Sequence, residues 1–131
     1  MKARKYLLDT HIILWFLENN ANLSDRVDDI LTNHADEIVV SIISLWEIAI
    51  KLTIGKLHTE LTIEVIIECI KQYWYLESFI DQEVIINYTI LPLYHRDPFD
   101  RLMIAFAKSN NLTIISNDNQ FPQYDVKLFS C

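Results

Sequence analysis

Four acidic side chains stand where a folded chain has little structural use for them. Asp9 ends the apolar run Tyr6-Leu7-Leu8, and Glu47 lies inside Ile42-Ile43-Ser44-Leu45-Trp46-Glu47-Ile48-Ala49-Ile50. Asp100 precedes Leu102-Met103-Ile104-Ala105-Phe106-Ala107, and Asp118 follows Thr113-Ile114-Ile115. A charge in apolar surroundings is costly unless it is paired or bound to a metal. Four of them, each beside a different predicted element, suggest one shared task. The simplest is to hold a hard divalent cation, which takes oxygen ligands.

Each acid also has a plainer reading. Ser44 and Glu47 have the spacing of a capping box, and Glu47 and Lys51 form an i,i+4 pair of favourable polarity. Asp97-Pro98 reads as an N-cap followed by proline at the first helical position. Asp100 then falls in the first turn, where an acid complements the helix dipole, but it also borders a stripe expected to be buried. Asp97 is therefore assigned mainly to capping and Asp100 mainly to ligation. Asp118, in Ser116-Asn117-Asp118-Asn119, has the composition of a turn. Asp9 is the hardest to explain structurally, and the hydroxyl of neighbouring Thr10 is placed to hold a carboxylate or a water. His11 and His95 read as satisfied structural groups before ligands, and no Cys or His pair has zinc spacing. Trp15, Trp46 and the Ile-rich stripes are expected in the core.

The elements that must position these acids follow from the pattern. Residues 4–8 predict a buried strand, and His11 to Asn19 a helix with Ile12, Trp15 and Phe16 on one face. Ser24 caps a helix to about Ala35. Ile38 to Ser41 is a strand, and Ser44 to Leu52 a helix stopped by Gly55. Thr62 to about Tyr73 is an amphipathic helix with Val65, Ile66, Cys69 and Ile70 inward. Residues 74–80 read as strand or turn. A helix from Gln82 to Thr89 ends before Pro92, and another runs from Pro98 to about Asn110. Thr113 to Ser116 and Val126 to Phe129 are strands. Short apolar strands alternating with helices mean a parallel sheet with helices on its faces. Ligands of such sheets bind at the carboxyl ends of strands, near a switch in strand order. Asp9 and Asp118 fall there, and Glu47 and Asp100 sit near helix starts that can face the same edge.

Composition narrows the function. The 131 residues fit one domain, 1–131, and 51% are hydrophobic. No apolar stretch is long enough to span a membrane, and Asp9 interrupts the first one too early for a signal peptide, so the expected location is cytoplasmic. Cys69 and Cys131 make no disulfide framework; Cys69 is expected in the core. The single glycine, Gly55, excludes a P-loop and a dinucleotide fingerprint, which need several. A formal net charge of −7 argues against tight nonspecific nucleic-acid binding through Lys and Arg. It leaves room for an enzyme that meets phosphate through a bound cation. Much of the excess acid (Asp25, Asp28, Asp29, Asp36, Glu37, Glu60, Glu64 and Glu68) reads as solvated helix faces.

Four segments together resemble the PIN-domain nucleases, most of all the VapC-type toxins of bacterial toxin–antitoxin pairs. They are Leu8-Asp9-Thr10-His11, Ser44-Leu45-Trp46-Glu47-Ile48-Ala49-Ile50-Lys51, His95-Arg96-Asp97-Pro98-Phe99-Asp100-Arg101-Leu102-Met103-Ile104-Ala105 and Ser116-Asn117-Asp118-Asn119-Gln120-Phe121. The central two are specific; the outer two gain weight from order and spacing. The resemblance implies a three-layer α/β/α sandwich around a central parallel sheet and an endoribonuclease dependent on Mg²⁺ or Mn²⁺. It carries the family's acidic quartet onto Asp9, Glu47, Asp100 and Asp118. The fourth segment departs from the family where Ser116 stands for a frequent Thr and Asn117 for a small residue, with the hydroxyl kept. It further implies a homodimer and a cognate antitoxin whose basic side chain blocks the acidic site.

Phosphodiester hydrolysis at such a site needs a cation to lower the pKa of water, orient it in line and neutralise the leaving oxygen. Asp9 and Asp100 are assigned as central ligands, and Glu47 and Asp118 as holders of bound water or a second ion. Thr10 and Ser116 would orient the carboxylates, and Arg96, Arg101 and Lys51 are candidate phosphate contacts. The main rival is a catalytically silent α/β interaction module whose acids are caps and turns. A second rival, an aspartyl phosphotransferase with Asp9 as nucleophile, is weakened because that chemistry often has a second Asp two residues on, where this chain has His11.

Overall fold

The computed structural model describes residues 3–130. Among these residues five short strands, β1 (Tyr6–Leu8), β2 (Ile38–Ser41), β3 (Tyr75–Glu77), β4 (Thr113–Ser116) and β5 (Leu128–Ser130), form one sheet in the order β3-β2-β1-β4-β5. Every pairing is parallel, with Leu8 opposite Ile115 and Leu7 opposite both Val39 and Ile114. The chain builds outward from β1 to β2 and β3, then crosses back to β4 on the other side. The reversal of order therefore falls between β1 and β4, which is where a parallel sheet opens a crevice at its carboxyl edge.

Among the described residues six α-helices cover the two faces: α1 (Thr10–Leu17), α2 (Asp25–Asn33), α3 (Ile42–Thr53), α4 (Ile63–Tyr73), α5 (Gln82–Ile90) and α6 (Pro98–Asn110). The period-two alternation of strands divides the core. Leu7, Val39 and Ile114 join Val84, Met103 and Phe106 from α5 and α6 on one face. Leu8, Ile38, Val40 and Ile115 join Ile12, Val27, Leu31, Ile66 and Ile70 from α1, α2 and α4 on the other. Successive side chains of a strand point to opposite faces, so each apolar run feeds both cores at once. The result is the expected three-layer α/β/α sandwich.

Local signals account for most helix boundaries. Ser24 caps α2 through the Val27 amide, Thr62 caps α4, and Asp97 caps α6 by accepting from the Phe99 and Asp100 amides. Gly55, at φ +74°, turns the chain after α3.

Several expectations are corrected. Helix α3 starts at Ile42 with Ser41 as its cap, accepting from the Ile43 amide at 3.1 Å. No Ser44–Glu47 capping box exists, because Ser44 already lies within the first turn. Its hydroxyl is buried, without a hydrogen-bond partner among the described residues. Trp46 is not core but 61% exposed, its ring edge-on to Phe99; it faces away from the stripe that α3 buries. Val65 is likewise exposed, while Ile66 and Ile70 carry the packing of α4. Cys69 is half-buried; Cys131 lies outside the described residues. Glu37 is not on a solvated face: it is buried at the end of a short 3₁₀ turn and pairs with Lys5 at 3.2 Å and His34 at 3.5 Å. Residues 75–77 resolve as the edge strand β3, and the last strand begins at Leu128 rather than Val126. Among the described residues no helix is long and apolar enough to cross a membrane.

Candidate functional site

The carboxyl edge of β1 and β4 collects the acids. Asp9 follows β1 directly, its amide donating to the Ile115 carbonyl at 3.1 Å, and it is 2% exposed. It is also the N-cap of α1, a structural role the sequence reading had not given it. Its Oδ1 accepts from the Thr10 amide at 2.8 Å, and its Oδ2 accepts from the Ser116 hydroxyl at 2.7 Å. Thr10 turns its own hydroxyl to Glu47, donating to Oε1 at 2.6 Å. The other Glu47 oxygen faces Lys51 at 3.3 Å, so the anticipated i,i+4 pair forms. Ser116 Oγ accepts from the Asp118 amide at 2.9 Å, and Asp118 Oδ1 accepts from the Gln120 amide at 2.8 Å. Two residues thus link three of the four acids: Thr10 joins Asp9, through its amide, to Glu47, through its hydroxyl, and the Ser116 hydroxyl joins Asp9 to the Asp118 amide.

Asp100 completes the group from α6. Its carboxyl is pushed up to about 8, first by burial and then by the negative charges of Asp97, Asp9, Asp118 and Glu47. Asp9 is also raised, mainly by burial, with Glu47 adding repulsion against the lowering effect of the Ser116 and Thr10 hydrogen bonds and of His11. Like charges that cannot escape one another favour the protonated form. Asp9, Glu47 and Asp118 are therefore within electrostatic reach of Asp100.

Asp100 is held by a relay that the sequence did not disclose. His95 Nε2 lies 3.1 Å from Asp100 Oδ2, and His95 Nδ1 lies 2.7 Å from the Tyr124 hydroxyl. That hydroxyl also accepts from Arg101 Nη1 at 3.2 Å and from the His95 amide at 3.3 Å. With both acceptor positions of the phenol taken, its hydrogen goes to Nδ1, which leaves the imidazole proton on Nε2, donated to Asp100. No sequence signal marks Tyr124, which sits in the irregular segment after Phe121. Arg101 is a correction: it is not an available phosphate contact. The residue is 6% exposed, and its guanidinium donates to the carbonyls of Pro92 at 2.8 Å, Leu91 at 3.4 Å and Tyr88 at 3.5 Å. Arg96 is exposed, and Lys51 lies beside Glu47.

The donor set suits a hard cation by chemistry: its donors are carboxylate oxygens, and no lysine or arginine pairs with Asp9 among the described residues. Among those residues, however, no three His, Cys, Asp or Glu side chains already stand close enough together to enclose an ion. A cation that keeps several of its own waters, as Mg²⁺ does, needs no such closed cage.

Comparisons with known proteins agree with this architecture. No curated protein matches the chain in sequence. Among solved structures, the crystal structure of VapBC2 from Rickettsia felis bound to a promoter DNA fragment has a chain that matches with a TM-score of 0.74 at 17% identity, over 98% of both chains. VapBC-1 from nontypeable Haemophilus influenzae matches with a TM-score of 0.63 at 21% identity, again over 98% of both chains. The FitAcB structure from Neisseria gonorrhoeae matches with a TM-score of 0.62 at 22% identity, over 95% of this chain and 96% of that one. The PIN domain family profile matches residues 6–127. With that profile covering nearly the whole chain, over the five-stranded parallel sheet described above, the chain belongs to the PIN domain family.

Proposed function

We propose that this chain is a divalent-metal-dependent endoribonuclease, the toxin of a cytoplasmic toxin–antitoxin pair, acting as one domain over residues 1–131. The observation that carries the reading is Asp9. It is nearly fully buried, both its oxygens are aimed by neighbours, Glu47 adds negative charge beside it, and among the described residues no lysine or arginine pairs with it. Folding alone gains little from such a cluster; a bound cation gives it a purpose.

Asp9 and Asp100 would hold Mg²⁺ or Mn²⁺, with Glu47 and Asp118 on coordinated water or a second ion. When bound, the cation supplies the positive charge that admits a phosphodiester and activates water for in-line attack. The chain's own part is orientation. Thr10 and Ser116 fix the Glu47 and Asp9 carboxylates, and His95, set by Tyr124, fixes Asp100. Lys51, already next to Glu47, and exposed Arg96 remain the candidate phosphate contacts.

The partner reading draws support from the similar VapBC structures, whose toxin chains were solved with antitoxins. A homodimer is supported by apolar side chains left exposed on and around α5: Phe79, Ile85, Ile86, Ile90 and Leu93. Clusters of that kind mark association surfaces. The test is RNA cleavage with added Mg²⁺ or Mn²⁺, with circular dichroism to confirm folding. Asp9→Asn keeps shape and loses charge, so cleavage should fall by orders of magnitude. The triple change of Asp25, Asp28 and Asp29 to Asn, on the exposed face of α2, should leave it nearly intact. Equal activity for wild type and Asp9→Asn would favour a catalytically silent interaction module.

A further inference from the structure

Beside the acids lies a cavity of about 390 Å³, between α1 and the turn that follows α3. One wall is a single helical stripe, His11, Leu14, Trp15 and Glu18, at the i, i+3, i+4, i+7 spacing that puts side chains on one face. The His11 and Trp15 rings lie 6.4 Å apart, and Trp15 is only half-buried. His11 directly follows Thr10, so this wall continues into the acidic site.

The opposite wall carries Lys51 and Lys56. Their placement is dictated by the backbone. The Gly55 amide donates to the Leu52 carbonyl at 3.4 Å and the Lys56 amide to the Lys51 carbonyl at 2.9 Å. With Gly55 at φ +74° this is the Schellman closure of a helix end. That closure commonly brings the two residues in the positions of Lys51 and Lys56 into apolar contact. Here both positions are lysine, so two cationic side chains line one wall against the single Glu18 carboxylate of the other, a balance that favours an anion. Lys51 has Glu47 at 3.3 Å; among the described residues no carboxylate lies within ion-pair distance of Lys56.

We propose that this cavity is a nucleotide subsite: a base of the RNA strand next to the cleaved phosphate stacks on Trp15, and its phosphate sits between Lys51 and Lys56. The proposal rests on the ribonuclease reading above and names where that substrate gains its grip. A chain of net charge −7 cannot hold RNA by a general basic surface. Its affinity must come from a few local sites that combine an aromatic platform with cations. The cavity's size falls in the range of small-ligand pockets. An aromatic ring facing two lysines, one of them beside Glu47, suits a strand better than a basic protein arm, which the two lysines would repel.

The test uses the full chain with Mg²⁺ or Mn²⁺ for cleavage, and a fluorescent single-stranded RNA oligonucleotide whose anisotropy is titrated across salt. Lys56→Gln should raise KM more than it lowers kcat, and should reduce the slope of log affinity against log salt by about 0.7, one phosphate contact. Trp15→Ala should raise KM between about fivefold and a hundredfold, and Trp15→Phe, which keeps a stacking ring, should recover most of that. If Trp15→Ala fails to fold by circular dichroism, the Lys56→Gln salt slope decides. Folded variants with wild-type KM and slope overturn the subsite while leaving the ribonuclease reading intact. So does loss of affinity for a coexpressed antitoxin with RNA kinetics unchanged, which would assign the cavity to a protein. A wild type that binds RNA with a Lys56-dependent slope but does not cleave supports the subsite and overturns the ribonuclease reading. One that neither binds nor cleaves overturns both.

Discussion

Asp97 and Asp100 stand three residues apart and have different physical jobs. Asp97 accepts from the amides of Phe99 at 2.9 Å and Asp100 at 3.1 Å, which is helix capping. Asn caps about as well as Asp, so Asp97→Asn should keep the fold and substantial RNA cleavage. Asp100→Asn removes the carboxylate held by His95 and should abolish cleavage with the fold intact. Equal loss in both, read by cleavage of folded protein, would show that the roles were divided wrongly. Tyr124→Phe probes the relay behind Asp100. It removes the hydroxyl that sets the His95 tautomer while keeping the ring packed against Tyr94 and His95. Loss of an outer partner of a ligand typically weakens metal binding by 10- to 100-fold. Calorimetric Mn²⁺ titration should show a drop of that order, and nitrogen NMR of His95 should show the Nε2–H form depleted. Wild-type affinity with an unchanged imidazole spectrum would remove Tyr124 from the site.

Among the elements, α3 carries the largest local conflict. Its first turn buries the Ser44 hydroxyl without a hydrogen-bond partner among the described residues. An unsatisfied buried hydroxyl costs about 1–3 kcal/mol. Ser44→Ala removes the polar atom and adds helix propensity, so it should stabilise the protein, by about 1 kcal/mol. Urea denaturation would show this as a raised midpoint with an unchanged slope; a lowered midpoint would mean that the hydroxyl has a partner after all. The same helix explains why Trp46 escaped the core. Seven of the nine residues from Ile42 to Ile50 are apolar, and the polar ones, Ser44 and Glu47, are themselves buried, so polarity does not mark the outer face. The inward face was decided by packing against α1, α4 and α6, leaving Trp46 at the surface.

Across the whole molecule, the acids set a pH dependence. Asp100 has a folded pKa of about 8 against an ordinary value of 3.8. A carboxyl raised on folding binds its proton more tightly in the native state. Its contribution is fully present below the unfolded value and is lost as pH rises through the folded one. Asp9 acts in the same direction. Metal-free protein should therefore lose stability from these groups between roughly pH 4 and pH 8, and Asp100→Asn should flatten the decline. Millimolar Mg²⁺ or Mn²⁺ should restore stability most at the alkaline end, where the ligands are ionised. A cation at about 100 times its dissociation constant adds roughly 2.7 kcal/mol. Thermal melts across pH, with and without metal, check both parts. A metal-free curve that rises steadily to pH 8 and is unmoved by Asp100→Asn would contradict the picture.

The sequence by itself determined most of the elements and their kind, leaving residues 74–80, which hold β3, open between strand and turn. Apolar runs of three to five residues separated by amphipathic stretches require parallel strands with helices outside, and Ser24, Thr62, Asp97 and Gly55 mark ends through chemistry confined to a few neighbouring residues. It also picked out Asp9, Glu47, Asp100 and Asp118, because a charge within or beside an apolar run is anomalous in one dimension. The tertiary structure alone decided what needs contacts between distant residues. The order β3-β2-β1-β4-β5 brings Asp9 beside Ser116, which is 107 positions away in the chain. The same folding buries Arg101 on backbone carbonyls, turns Trp46 outward and places Tyr124 behind His95. Capping and periodicity depend on the nearest few residues and so are written locally. Burial, carboxyl repulsion and the choice of a hydrogen-bond partner depend on where the crossover from β3 to β4 returns the chain.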